Sequence, residues 1–197
     1  MNTKQLTELL LQSLEHERGG VLVYQTALQC ARNADLRKEW THYLEQTTRH
    51  VAILTDTCIQ LGIDPGVRTP GCQIVHANGV ALVRAMEMAL AAEDPAAAEI
   101  VACEMVVLAE TKDHADWELI GAIAKASEGA QAEALRAAYE QVEDEEDEHL
   151  YHTKGWCREL WFAALGLPAQ LPPPEETEDV KSAAAAAQVQ QARLEQH

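Results

Sequence analysis

The chain has 197 residues, 47% of them hydrophobic and only 5% aromatic, and carries a formal net charge of -17. That length allows one domain with a sizeable core plus an appendage, and a composition rich in Ala, Leu, Glu and Gln disfavours a sheet protein. The charge repels a nucleic-acid duplex and an anionic membrane, so cations are the expected ligands.

The first helix is predicted over 3–32. Leu10, Leu14, Glu17, Val21, Tyr24 and Leu28 follow steps of four and three, which places them on one face. Gly19 and Gly20 interrupt the pattern and predict a close helix approach or a local irregularity. The second helix is predicted over 35–61, with Asp35 as N-cap and the stripe Leu36, Trp40, Tyr43, Thr47, His50, Leu54 and Leu61. Gly62 and Pro65 stop it. Residues 62–78 read as a Gly- and Pro-rich loop, and 79–92 as a short amphipathic helix carrying Val83, Met86 and Leu90.

Asp94-Pro95 opens a third long helix, reaching about residue 126. Its stripe is Ile100, Cys103, Val107, Glu110, His114, Trp117, Gly121 and Ala124. The fourth is predicted over 130–165 with Leu135, Tyr139, Val142, Glu146, His149, Thr153, Trp156 and Leu160, and stops at Gly166 and Pro168. The expected fold is an all-α antiparallel four-helix bundle over 1–167, with a long crossover containing the short helix. Residues 168–197 follow as a Pro-rich linker and an Ala- and Gln-rich helical tail, read as an oligomer contact or a solvated segment.

The five cysteines Cys30, Cys58, Cys72, Cys103 and Cys157 form no CxxC pair, which argues against a disulfide framework and a zinc knuckle. Cys58, Cys103 and Cys157 read as small core residues. No signal-peptide layout opens the chain, and no apolar run approaches the roughly 20 residues that span a bilayer. The expectation is a cytoplasmic protein with reduced thiols and neither a membrane nor a nucleic-acid partner.

Each long stripe turns ionisable near mid-helix: Glu17, His50, Glu110 with His114, and Glu146 with His149. A carboxylate on a core face costs several kcal/mol unless it is paired or binds metal, and four helices each offering such a group call for a common cause. Di-iron and di-manganese bundles combine single Glu residues from two helices with Glu-x-x-His from the other two. Glu17 and Glu110 would be the single carboxylates here, and Glu146-x-x-His149 one of the pairs. Glu17 precedes Tyr24 by seven residues and Glu110 precedes Trp117 by seven, so a large ring lies two turns from each acid. The bland alternatives are a solvated acidic run over 143–148 and hydrogen-bonded core histidines. Glu15, His16, His42 and His76 read as surface groups, and His152 could replace His149 if the helix were rotated.

Glu17-x6-Tyr24 resembles the first-helix motif of bacterioferritin and its relatives. Tyr43-Leu44-Glu45-Gln46-Thr47, His50-Val51, Leu54 to Leu61-Gly62, Cys72 and Glu110-x6-Trp117 resemble the YciF-like ferritin-like stress proteins. The resemblance covers about residues 5 to 165. It implies a ferritin-like four-helix bundle, often dimeric, with a possible di-metal centre. A complete ferritin-type site would carry Glu before His50, where this chain has Thr47; Glu45 through a π-bulge, or His114, are the candidate replacements.

Two functional expectations follow. The first is a metal protein with a dinuclear iron or manganese centre held by Glu17, His50, Glu110, Glu146 and His149, with oxidase or peroxide-scavenging chemistry of ferroxidase or peroxidase type. The second is a non-catalytic, stress-related bundle acting through dimerisation or partner binding, its buried acids paired with Arg18, Arg49 or His114.

Overall fold

In the computed structural model, which describes residues 2–169, the chain is a helical bundle built from α1 (Thr3–Cys30), α2 (Ala34–Gln60), α3 (Pro70–Ala91), α4 (Pro95–Ala126), α5 (Gly129–Tyr139) and α6 (Glu143–Leu165). The linker and tail expected over 168–197 lie, from 170 on, outside the described residues. Caps fix most helix starts. Asn2, Asn33, Thr69 and Asp94 side chains accept from backbone N–H groups of the first turns, which leaves fewer orphan donors there. The α2 cap is therefore Asn33 rather than Asp35. The turn before it is held from outside: the buried Glu99 carboxylate of α4 accepts from the backbone N–H of Arg32 and of Asn33, each at 2.6 Å.

α1 packs on α2, α3 and α4, and α4 packs on α3, α5 and α6. Apolar residues gather in two clusters. One joins the second half of α1 (Val23, Tyr24, Ala27) to the first half of α2 (Leu36, Trp40, Tyr43), to Met86 and to the first half of α4. The other joins Leu6, Leu10 and Leu14 to Leu54 and Cys58, to Trp117 and Ile120, and to Leu135, Ala138 and Val142. Between these clusters, on each of the main helices, lies the ionisable stretch of its stripe.

Two expected elements differ from those observed. Residues 70–78 are helical, so α3 spans 22 residues instead of starting at Gly79. Thr69 and Pro70 form an N-terminal start that outweighs Gly71 and Gly79. Read as one helix, α3 is long and apolar enough by length and composition to cross a membrane, with hydropathy 1.2, contrary to the sequence expectation. It buries Cys72, Val75 and Met86 and turns Ile74, Val80 and Met88 outward. The second difference is a break at 140–142 that divides the expected fourth helix into α5 and α6. The acidic run Glu143-Asp144-Glu145-Glu146 thereby becomes the first turn of a helix, where the macrodipole favours negative charge.

Gly19 and Gly20 permit close approach on two sides without breaking α1. A Cβ on Gly19 would stand 4.0 Å from the Gly79 Cα of α3, and one on Gly20 would stand 3.2 Å from Thr47 Cγ2 of α2. Gly121 is tighter still: a Cβ there would fall 2.6 Å from the Tyr139 ring of α5. Gly121→Val should lower the unfolding free energy by about 1–3 kcal/mol through overpacking. Chemical denaturation checks this, and an unchanged midpoint would mean that the Tyr139 ring gives way freely.

Candidate metal centre

Glu17 of α1, His50 of α2 and Glu146 of α6 form one buried group, and Glu110 of α4, Glu146 and His149 form another. Within each group one ligand atom per residue lies within 4.8 Å of the others, and Glu146 belongs to both. Exposure is 0% for Glu17, His50 and His149 and 2% for Glu110 and Glu146. Such groups can hold a metal ion. Glu17, Glu110 and Glu146 meet histidines rather than Arg18 or Arg49. Arg18 turns to Glu15 and the Pro65 carbonyl, and Arg49 to Glu145.

The imidazoles are oriented. His50 Nε2–H donates to Glu145 Oε2 at 2.7 Å, leaving Nδ1 toward Glu146 at 2.9 Å and Glu17 at 3.6 Å. His149 Nε2–H donates to Gln46 Oε1 at 3.0 Å, leaving Nδ1 3.5 Å from both Glu110 and Glu146. Gln46 also lies beside Glu145, so the two histidines' partners are neighbours. A ring that donates through Nε2 presents a bare Nδ1 lone pair, the form in which histidine binds metal. The rings lie 5.8 Å apart, stacked at 24°.

Gln46 and Glu145 were not expected at the site. Each stands four residues before a site histidine, one helical turn away, so the i, i+4 relation was present in the sequence. The rings two turns from each acid serve the opposite acid. Trp117 Nε1–H donates to Glu17 at 2.8 Å, and the buried Tyr24 hydroxyl lies beside Glu110.

What the site lacks is hydrogen-bond partners. Glu17 Oε2, Glu110 Oε2, both Glu146 oxygens, His50 Nδ1 and His149 Nδ1 are buried without one, although buried polar atoms seldom go unpaired. Burial therefore moves the acids. It raises Glu17 to about 7, helped by Glu110, and pushes Glu146 well above the carboxylate range, with Glu110 and Glu17 adding repulsion. Burial also acts on Glu110, but the neighbouring His149 ring and Tyr24 hydroxyl outweigh it and keep that acid low. Burial holds His149 below its usual value, so its ring is neutral near pH 7. Glu145 is brought to about 2 because His50 and Arg49 overcome its burial.

The remaining candidates fall elsewhere. Glu45 is exposed and α2 is a regular α-helix through it, with no π-bulge, so Glu45 does not stand in for the residue at Thr47. His114 lies outside both groups and pairs with Asp147 at 3.0 Å. These two, with Trp117, Tyr139, Glu143 and Glu146, line a cavity of about 20 Å³, room for about one water, that reaches the shared Glu146 from the α5–α6 break. His152 meets the Tyr43 hydroxyl at 3.0 Å and is not in the cluster. Glu15, expected at the surface, is buried under Arg68 of the α2–α3 segment and His76 of α3. His16 is half-buried against the Ala109 carbonyl at 3.0 Å.

No protein-family model, curated protein or solved structure matches the chain.

The metal-free site has a defined pH response. Glu17 and Asp147 both rise to about 7, chiefly by burial, so each holds its proton in the native state after the unfolded chain has released it. The stability this contributes is complete below the unfolded carboxylate values and is lost as pH climbs through 7. His149 and His114, both lowered by burial, act oppositely, but only below the ordinary histidine value. The unfolding free energy of metal-free protein should thus fall from about pH 6.5 to about pH 8, by at most about 1.4 kcal/mol per proton per pH unit, and Tm with it. Calorimetry in chelator checks the sign, and a rising Tm across that window would refute it.

Proposed function

We propose that the chain is a ferritin-like metal protein whose Glu17, His50, Glu110, Glu146 and His149 hold a dinuclear iron or manganese centre. In this reading α1, α2, α4 and α5–α6 are the four helices of the bundle and α3 lies in the long connection between the second and third. The observation that carries the proposal is the sharing of Glu146 by two buried groups whose ligand atoms have no hydrogen-bond partners.

The donor chemistry fits the metals. Carboxylate oxygens and imidazole nitrogens suit iron and manganese, and no thiol belongs to either group. Iron or manganese bound there would supply one-electron chemistry toward oxygen or peroxide. The chain's own residues do the rest. Glu17 and Glu146 release their protons to become ligands. Glu145 and Gln46 keep both histidines in the metal-binding tautomer. Trp117 holds Glu17 in place, and the apolar clusters on either side limit water to the cavity near Glu146. The reaction class we favour is oxidase or peroxide scavenging.

A non-catalytic bundle is the second reading, and Thr47 favours it, because the position that pairs with His50 as Glu146 pairs with His149 carries no carboxylate. The two readings differ in metal content. Protein loaded with Fe(II) or Mn(II) and desalted should retain about two ions per chain, as di-metal carboxylate bundles do. Glu146→Ala should lose both, because both groups use it. Elemental analysis decides: wild-type protein that retains no metal, with a Tm indifferent to chelator, would leave the non-catalytic reading.

A further inference from the structure

Glu110 is followed one turn later on α4 by a second acid, Asp113, on the same helix face. Asp113 is only 3% exposed. Its carboxyl lies beside Glu17, and its Oδ1 has no hydrogen-bond partner. The charges that act on it most strongly are all negative: Glu17, Glu146, Glu110 and Asp116. Asp116, the next buried acid on α4, is balanced by Lys112. Asp113 has no such cation among the described residues. An acid placed among acids in an apolar core is costly, and nothing in the packing of α4 requires one.

The spacing of the site residues suggests what it compensates for. The pattern on the α1–α2 pair repeats on the α4–α6 pair. Glu146-x-x-His149 on α6 corresponds to Thr47-x-x-His50 on α2, and Glu110-x-x-Asp113 on α4 corresponds to Glu17-x-x-Gly20 on α1. On the α1–α2 side a Cβ at Gly20 would meet Thr47, and both positions lack a carboxylate. On the α4–α6 side both corresponding positions, Asp113 and Glu146, carry one. The acid missing from one half is thus present in the other.

We propose that Asp113 is the fourth carboxylate of the centre, joining Glu17, His50 and Glu146 and supplying from α4 the ligand that Thr47 does not supply from α2. This rests on the dinuclear reading above. Charge balance requires such a group. Two divalent cations bring four positive charges, Glu17, Glu110 and Glu146 return three, and imidazole ligands return none. Asp113 closes the sum to zero. Binding at Asp113 would form a metal–oxygen bond, with any carboxyl proton leaving to solvent.

The test is Mn(II) titration of the full chain and of Asp113→Asn, Asp116→Asn and Glu146→Ala, read by calorimetry, elemental analysis and Tm with and without metal. Asn keeps the shape of Asp and removes the charge. The expected result is that wild type and Asp116→Asn take two equivalents. Asp113→Asn should take one tightly and the second at least about tenfold more weakly, the least that lost support of a metal site costs. Its metal-free Tm should equal or exceed wild type, because a buried acid has gone. If Asp113→Asn binds two equivalents with wild-type affinity while Glu146→Ala does not, the metal centre stands and the role of Asp113 is overturned. Equal weakening by Asp116→Asn would also overturn it, as would a metal-free Asp113→Asn chain that fails to fold, since the carboxyl would then be a packing group. Wild-type protein that binds no Mn(II) would remove the dinuclear reading and this assignment together.

Discussion

Buried carboxylates with no lysine or arginine beside them among the described residues set the terms for the rest of this bundle. Glu146 is the extreme case, with both oxygens buried and neither hydrogen-bonded. An apolar interior tolerates such groups only if they are protonated, matched by imidazole or bound to a cation. The two apolar clusters, one on each side, provide the stabilisation that offsets this seam of acids. The seam is a place where binding free energy could be coupled to folding, because a cation would convert mutual repulsion into attraction.

Orientation at the seam comes from groups that do not themselves face the cluster. Glu145 and Gln46, each a turn before a histidine on its own helix, reach across to the histidine of the opposite helix. The exchange ties α2 to α6 in both directions and decides which nitrogen of each ring is free. Arg49 holds Glu145 from the solvent side, so a surface ion pair is continuous with the buried site. A pair of this kind contributes little stability by itself; its consequence here is positional.

The break between α5 and α6 has two effects. It brings the acidic run to a helix N-terminus, where backbone dipoles favour it. It also opens the small cavity lined by His114, Asp147 and Glu146, which connects the centre to the outside on the side where Tyr139 folds over Gly121. An uninterrupted helix would have left those four acids in mid-helix with no dipole to favour them.

The sequence by itself determined the helical class, the faces of α1, α2 and α4, and five residues that the structure brings into two groups. The reason is periodicity: a charged residue at the 3.6-residue spacing of an apolar stripe must face the core wherever the helix lies. It determined less about the joints. Gly71 and Gly79 weigh against a helix over 70–78 locally and point to a loop, whereas packing along α1 outweighs that preference. The break at 140–142 was invisible because the apolar spacing runs through it without a change of phase. Only the tertiary structure decided which acids are neighbours. That Glu146 is shared, that Trp117 serves Glu17 rather than Glu110, that Glu45 faces water and that Asp113 meets Glu17 all depend on distances between helices, and a pattern along one helix carries no information about the helix opposite.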